Sequence, residues 1–229
     1  MAATIVGSRA YDNGIPCTGE QAVHFPKEKY DEFVAAMKRA KAAMIPDDKV
    51  DELPKILFKE NGAIDAKHVG MKPVKLAAEM GFEVPEDTQI LIFNNRGISR
   101  ENILCREKLC PVIQLFPYES FEQAVADAKT NLLWEGAGHT SVIYTNDTEK
   151  AEYVGHELPV GRLVVNQAGG AASGGNYING LHPTMSLGCG SWGNNSISEN
   201  LTYKHLMNTT RLAYYHDCTM PELDEVWKL

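Results

Sequence analysis

Short apolar runs alternating with amphipathic stretches predict an α/β fold: a largely parallel sheet flanked by helices. Three observations carry this. Thr88–Phe93 (TQILIF), Pro111–Phe116 (PVIQLF), Thr140–Thr145 (TSVIYT) and Arg162–Gln167 (RLVVNQ) are short, apolar or β-branched, and bounded by turn residues. Stretches with helical spacing separate them. The 229 residues are 44% hydrophobic and 23% charged, the make-up of an ordinary globular chain with enough apolar surface to offset the entropy of ordering.

Along the chain, residues 2–11 suit a helix, and Asp12-Asn13-Gly14-Ile15-Pro16-Cys17 is a turn-rich break. Gln21–Phe25 is a short strand. Pro26 opens a helical pattern with Tyr30, Phe33, Val34, Met37 and Met44 on one face. Pro46 and Asp47-Asp48 start a second helical piece carrying Val50, Leu53, Ile56 and Leu57. Lys72–Met80 is a further helix closed by Gly81.

After strand 88–93 comes a polar loop to Asn102, then strand 111–116. Ser120 suits the N-cap of a helix with Phe121, Ala124, Val125, Ala128 and Leu132 inward. Asp147 or Thr148 caps the next helix, through Leu158. Gly169 to Gly193 holds eight glycines with neither periodicity, and loops that long are commonly functional. This loop follows strand 162–167, so it is expected beyond the carboxyl edge of the sheet, where ligands gather in open α/β folds. Asn208–His216 (NTTRLAYYH) again alternates like a strand.

Lys plus Arg number 22 against 30 Asp plus Glu, a net charge of −8, which lacks the basic footprint of a nucleic-acid binder. No apolar run approaches the roughly 20 residues of a membrane span. The first residues lack the pattern of a signal peptide, so a cytoplasmic protein is expected. Five cysteines argue against a disulfide framework, and neither they nor the seven histidines show metal-ligand spacing, so no metal is expected. Neither GxxxxGK[ST] nor GxGxxG between strand and helix is present.

Two residues have settings suited to chemistry. Cys17 lies in a Gly/Pro turn, where a thiol is accessible, whereas Cys110 in LCPVIQL suits packing. His139 sits in Gly136-Ala137-Gly138-His139-Thr140 just before a strand, where it can carry a proton near neutral pH. Residue types alone leave open a Cys/His hydrolase or acyltransferase without a redox cofactor, or a non-catalytic scaffold.

The segments YDNGIPCTGEQAV (11–23), REKLCPVIQLF (106–116), EGAGHTSVIY (135–144), LPVGRLVVNQ (158–167) and HPTMSLGCGSWGNNSISENLTYKHLMN (182–208) resemble, in this order, the CoA-acylating aldehyde dehydrogenases. The likeness is strongest to the succinate-semialdehyde members and spreads over nearly the whole chain. It implies an aldehyde-dehydrogenase catalytic fold, with a Gly-rich substrate loop and a C-terminal oligomerisation strand.

It further implies that Cys17 is the nucleophile. In such enzymes the cysteine forms a thiohemiacetal that passes hydride to NAD or NADP, and coenzyme A then takes the thioester. By the same resemblance Glu107 binds the nicotinamide ribose and His139 is the acid/base near the incoming thiol. Ser173, Asn176, Asn179 and His182 on the Gly-rich loop are candidates to hold an anionic substrate tail. Succinic semialdehyde is the expected aldehyde, with acetaldehyde, propionaldehyde and sulfoacetaldehyde as alternatives.

Family members carry a Rossmann-type cofactor domain before the matched segment, whereas here Met1 stands in the helix leading to DNG-x-x-C. The expected organisation is therefore a catalytic domain over 1–207, without that cofactor domain, and an oligomerisation strand and tail over 208–229. A homodimer or higher homo-oligomer follows from the tail.

Overall fold

The computed structural model describes residues 1–227. Helix α1 (Ala2–Ala10) leads into the turn-rich segment and strand β1 (Ala22–Pro26), followed by α2 (Tyr30–Arg39) and β2 (Ala42–Met44). Helices α3 (Leu53–Leu57) and α4 (Pro73–Glu79) precede β3 (Ile90–Asn94) and β4 (Val112–Tyr118). Then come α5 (Phe121–Trp134), β5 (Gly138–Ile143), α6 (Thr148–Glu157), β6 (Val160–Val165), α7 (Gly169–Ala172) and α8 (Leu223–Val226).

Four parallel strands form one sheet in the order β1-β4-β3-β2, and β5 and β6 form a parallel pair of their own. The side-chain period of two sorts β3 between two cores. Ile90 and Ile92 pack with Phe33, Val34 and Met37 of α2 and Ile5 and Val6 of α1. Leu91 and Phe93 pack on the other face with Leu53 and Leu57 of α3 and Leu76 of α4. All four are fully buried, as a strand covered on both faces must be, and each contributes about 2 kcal/mol by leaving water. A third cluster sets Val125 of α5 and Val154 of α6 against Leu163 and Ile143 of the small sheet.

The expected caps are present: Ser120 accepts from the Gln123 N–H at 3.2 Å and Asp147 from the Lys150 N–H at 3.1 Å. Gly81 closes the turn after α4 at φ +78°.

Two expectations are corrected. The helix from Pro26 does not reach Met44. It ends at Arg39, Lys41 turns through φ +73°, and Ala42–Met44 is a strand paired to Ile90–Ile92. The strand expected at Asn208–His216 is not formed within the chain. Residues 207–222 carry no regular structure, and Leu212, Tyr214 and Tyr215 are exposed, because alternation makes a strand only where a ladder partner exists.

Among the described residues β1 pairs only with β4 and β5 only with β6, so each keeps an unpaired edge there. Both line a cleft of about 820 Å³.

Candidate active site

Cys17 projects from a tight turn whose Gly19 N–H donates to the Pro16 carbonyl at 3.1 Å. The approach to this turn is unusual backbone: Asp12, Asn13 and Gly14 take φ of +46°, +49° and +75° in succession. Asp and Asn tolerate that region better than other side chains. At Gly14 the need is absolute, because a Cβ there would lie 2.5 Å from the Cys110 carbonyl carbon and oxygen. The DNG spacing therefore presses the nucleophile turn onto the backbone just before β4.

Arg9, wholly buried in α1, fixes the same turn from below. Its guanidinium donates to the Gly19 carbonyl (3.3 Å), Gln21 Oε1 (3.1 Å) and the Cys110 carbonyl (2.6 Å). From the other side, Glu20 Oε1 accepts the Gly169 N–H (3.0 Å) and the Thr18 hydroxyl donates to the Gly170 carbonyl (3.2 Å).

Across the cleft, His139 Nε2 stands 3.2 Å from Cys17 Sγ. His139 opens β5, where Gly138 (φ +83°) lies against the backbone of Cys189. Glu107, ahead of β4, lines the same cleft. Its carboxylate has no hydrogen-bond partner among the described residues, while its N–H donates to Glu135 Oε2 at 3.1 Å. The three residues singled out from the sequence are thus brought together.

They enter from the amino ends of β1, β4 and β5, not from the carboxyl edge expected for ligands. The Gly-rich loop starts at the carboxyl end of β6 but returns, so that Arg162 of β6 binds the Gly188 carbonyl (2.9 Å).

Burial, and next the charge of Glu107, push the Cys17 thiol above its ordinary range; its own backbone N–H opposes this. Burial and then Arg162 push His139 below the usual histidine value. Burial raises Glu107, against the pull of Arg9. Both shifts favour a thiol facing a neutral imidazole over a thiolate–imidazolium pair. Cys110, fully buried, is pushed up to about 11 and is inert packing as expected. Among the described residues no group of three His, Cys, Asp or Glu is placed to hold a metal, and no helix is long and apolar enough to cross a membrane.

The four loop candidates do not line the cleft. Ser173 is fully buried and donates to the Gly169 carbonyl at 2.7 Å. Asn176 and Asn179 brace the loop's own backbone, and the carbonyl of His182 accepts from Asn200 at 2.8 Å. In this structure Ser173, Asn176 and Asn179 and the His182 carbonyl hold the loop itself. Arg9, Thr140 and Arg162 were not foreseen. A lone arginine inside the apolar run RLVVNQ was the one available signal.

The aldehyde dehydrogenase family profile matches residues 96–205. The succinate-semialdehyde dehydrogenase (acetylating) of Clostridium kluyveri is 44% identical over 97% of this chain and 49% of its own length. A sulfoacetaldehyde dehydrogenase of Acholeplasma is 30% identical over 96% of this chain and 46% of its own. The chain thus spans about half the length of these curated relatives. The crystal structure of an acetylating aldehyde dehydrogenase from Geobacillus thermoglucosidasius superposes with a TM-score of 0.87 at 31% identity, covering 96% of this chain and 48% of that one. Residues 96–205 thus match the aldehyde dehydrogenase family, and nearly the whole chain is similar to acylating members of it.

Proposed function

We propose that this chain is the catalytic part of a CoA-acylating aldehyde dehydrogenase that turns an aldehyde into an acyl-CoA. The observation that carries the reading is the 3.2 Å approach of His139 Nε2 to Cys17 Sγ inside the cleft. An exposed thiol with a raised pKa needs a base within reach to become a nucleophile near neutral pH.

The sulfur of Cys17 attacks the aldehyde carbonyl carbon while its proton passes to His139 Nε2. The C=O electron pair moves to oxygen, which takes the proton back to complete a thiohemiacetal. The backbone N–H of Thr18 makes no hydrogen bond among the described residues, so it is available to a developing oxyanion. Such donors are worth roughly 3 kcal/mol each.

The unpaired Glu107 carboxylate suits the ribose hydroxyls of a nicotinamide cofactor, NAD or NADP. Bound there, the nicotinamide supplies the hydride acceptor for the oxidation of the Cys17 adduct. His139 then takes the proton of the coenzyme A thiol as that sulfur attacks the thioester. The bond to CoA sulfur forms, the bond to Cys17 breaks, and Cys17 recovers the proton.

Succinic semialdehyde is the aldehyde we propose, on the 44% identity to the Clostridium kluyveri enzyme. Acetaldehyde, propionaldehyde and sulfoacetaldehyde are the alternatives. Arg106 and Lys150 are cationic side chains lining the cleft, and Arg106 is already paired with Glu135 at 2.7 Å. We place the protein in the cytoplasm as a homo-oligomer joined through its exposed tail.

The test runs the acyl transfer backwards, which needs no redox cofactor. The chain is mixed with succinyl-CoA or acetyl-CoA and digested for mass spectrometry. An acyl group on the Cys17 peptide, lost in Cys17→Ala and kept in Cys110→Ala, is the expected result. Steady release of the acid to water would favour a Cys/His thioesterase, and no adduct on a folded chain would overturn both readings.

A further inference from the structure

Arg162 stands in the middle of β6 and is only 4% exposed. No carboxylate pairs with it among the described residues. Its oxygen partners are neutral: Gly188 O at 2.9 Å, Gly138 O at 3.2 Å, His139 O at 3.0 Å and Thr140 Oγ1 at 3.2 Å, and the Cys189 side chain also lies against it. An arginine is costly to bury, and here the contacts it gains converge on two consecutive residues of β5 and the glycine in front of them.

One of those contacts continues into the site. Thr140 Oγ1, which accepts from Arg162 Nε, also lies 3.2 Å from His139 Nδ1. The other nitrogen of the same ring faces Cys17 Sγ. Arg162, Thr140, His139 and Cys17 therefore form one continuous line.

The donors and acceptors along that line admit the tautomer that proton transfer requires. A threonine hydroxyl offers two lone pairs and one proton. Arg162 occupies one pair, and the second can accept Nδ1–H, which leaves Nε2 bare. In the opposite tautomer the Thr140 hydroxyl would donate to Nδ1 and Nε2–H to the Cys17 sulfur, leaving no bare ring nitrogen toward the thiol. Only the first arrangement lets Nε2 accept the thiol proton.

Charge points the same way. Around the Cys17–His139 pair the ionisable neighbours are Arg162 from β6, Cys189 from the Gly-rich loop and Glu107 from the segment before β4. Of these Arg162 is the cation, and it opposes a second positive charge on the imidazole.

We propose that Arg162, acting through Thr140 and the Gly138 and His139 carbonyls, is a positioning residue that keeps His139 in the Nδ1–H tautomer with Nε2 bare toward Cys17. The inference rests on the Cys17–His139 reading above.

Two readouts test it. The first is the nitrogen-15 signature of the His139 imidazole in the labelled chain, which reports the tautomer without any chemistry. The second is the pH profile of Cys17 acylation by p-nitrophenyl acetate, which needs neither coenzyme A nor a nicotinamide. Thr140→Val keeps the side-chain shape and leaves Arg162 its three carbonyls. It is expected to mix the tautomers and slow acylation about tenfold, with Thr140→Ser restoring both.

Arg162→Met, where it folds, is expected to move the acid limb of the profile to higher pH, because His139 then protonates more readily. An unchanged imidazole signature in Thr140→Val, or acylation within about twofold of wild type, overturns the proposal. Failure of the unaltered chain to acylate at Cys17 sinks the nucleophile reading instead, and the nitrogen-15 signature still decides the tautomer.

Discussion

Arg9 Nη2 meets the Cys110 carbonyl oxygen at 2.6 Å, tying the helix before the nucleophile turn to the entry of β4, 101 residues further along the chain. The same guanidinium bonds Gly19 and Gln21, so one buried side chain fixes both walls around Cys17. Replacing it by Met takes a donor from all three acceptors and leaves the Gly19 carbonyl with none among the described residues. Arg9→Met is expected to cost about 3 kcal/mol, read as a lower urea midpoint at unchanged m-value.

Gly14 and Gly7 give opposite expectations for the same change. Gly14→Ala puts a methyl group into the Cys110 carbonyl at a φ of +75°, and should cost about 3 kcal/mol while lowering the accessibility of Cys17. Gly7, inside α1, has open space where a Cβ would sit, with nothing within 4 Å, and no positive φ. Gly7→Ala should therefore stabilise the chain by about 0.5–1 kcal/mol. Thermal melts of the two variants check the contrast.

Glu107 sets the reactivity of Cys17 by charge. It is the largest charged contributor to the raised thiol value, after burial. Removing that charge makes the thiolate easier to form, so the pKa of Cys17 falls and its reactivity rises at any pH below it. Glu107→Gln should quicken iodoacetamide alkylation of Cys17 about threefold at pH 8. Cys110, held near 11 and buried, should remain unlabelled in both proteins until they unfold, as peptide mapping will show.

His24 makes stability depend on pH. It stacks on Phe116 with ring centroids 4.7 Å apart, its Nδ1 has no partner, and burial lowers its pKa from 6.5 to about 4. The unfolded chain therefore binds this proton at higher pH than the folded one. Its contribution is whole above pH 6.5, drains away between pH 6.5 and about 4, and amounts to about 3 kcal/mol at most. His24→Phe should flatten that part of the stability–pH curve in urea titrations at successive pH values. An equal fall in both proteins would reject the assignment.

The legible parts of this molecule were those whose signal is local. Strands β3 and β4 announce themselves as unbroken apolar runs, and the caps of α5 and α6 are single residues with one job. Strand β2 was hidden because Ala-Ala-Met has no strand preference of its own; its pairing to β3 is decided by tertiary contact. Cys17, His139 and Glu107 stood out by motif and setting. Arg9, Thr140 and Arg162 did not, since an arginine in a helix or strand reads as a solvated charge, and a threonine as a plain strand residue, until the fold removes the solvent. The polar residues of the Gly-rich loop are occupied for the complementary reason. A long loop has many backbone groups to satisfy, and Ser173, Asn176 and Asn179 are used on those.

The unpaired edges of β1 and β5 have a consequence for colloidal behaviour. Each offers peptide donors and acceptors at strand spacing, and neither AVHFP nor GHTSVI carries a lysine or an acidic side chain to repel an incoming chain. A second molecule's extended segment, the aromatic tail included, is a ready guest for that gap. Light scattering of the chain should therefore rise with concentration, and alkylation of Cys17 should fall as it does. Solubility and access to the nucleophile are set by the same opening.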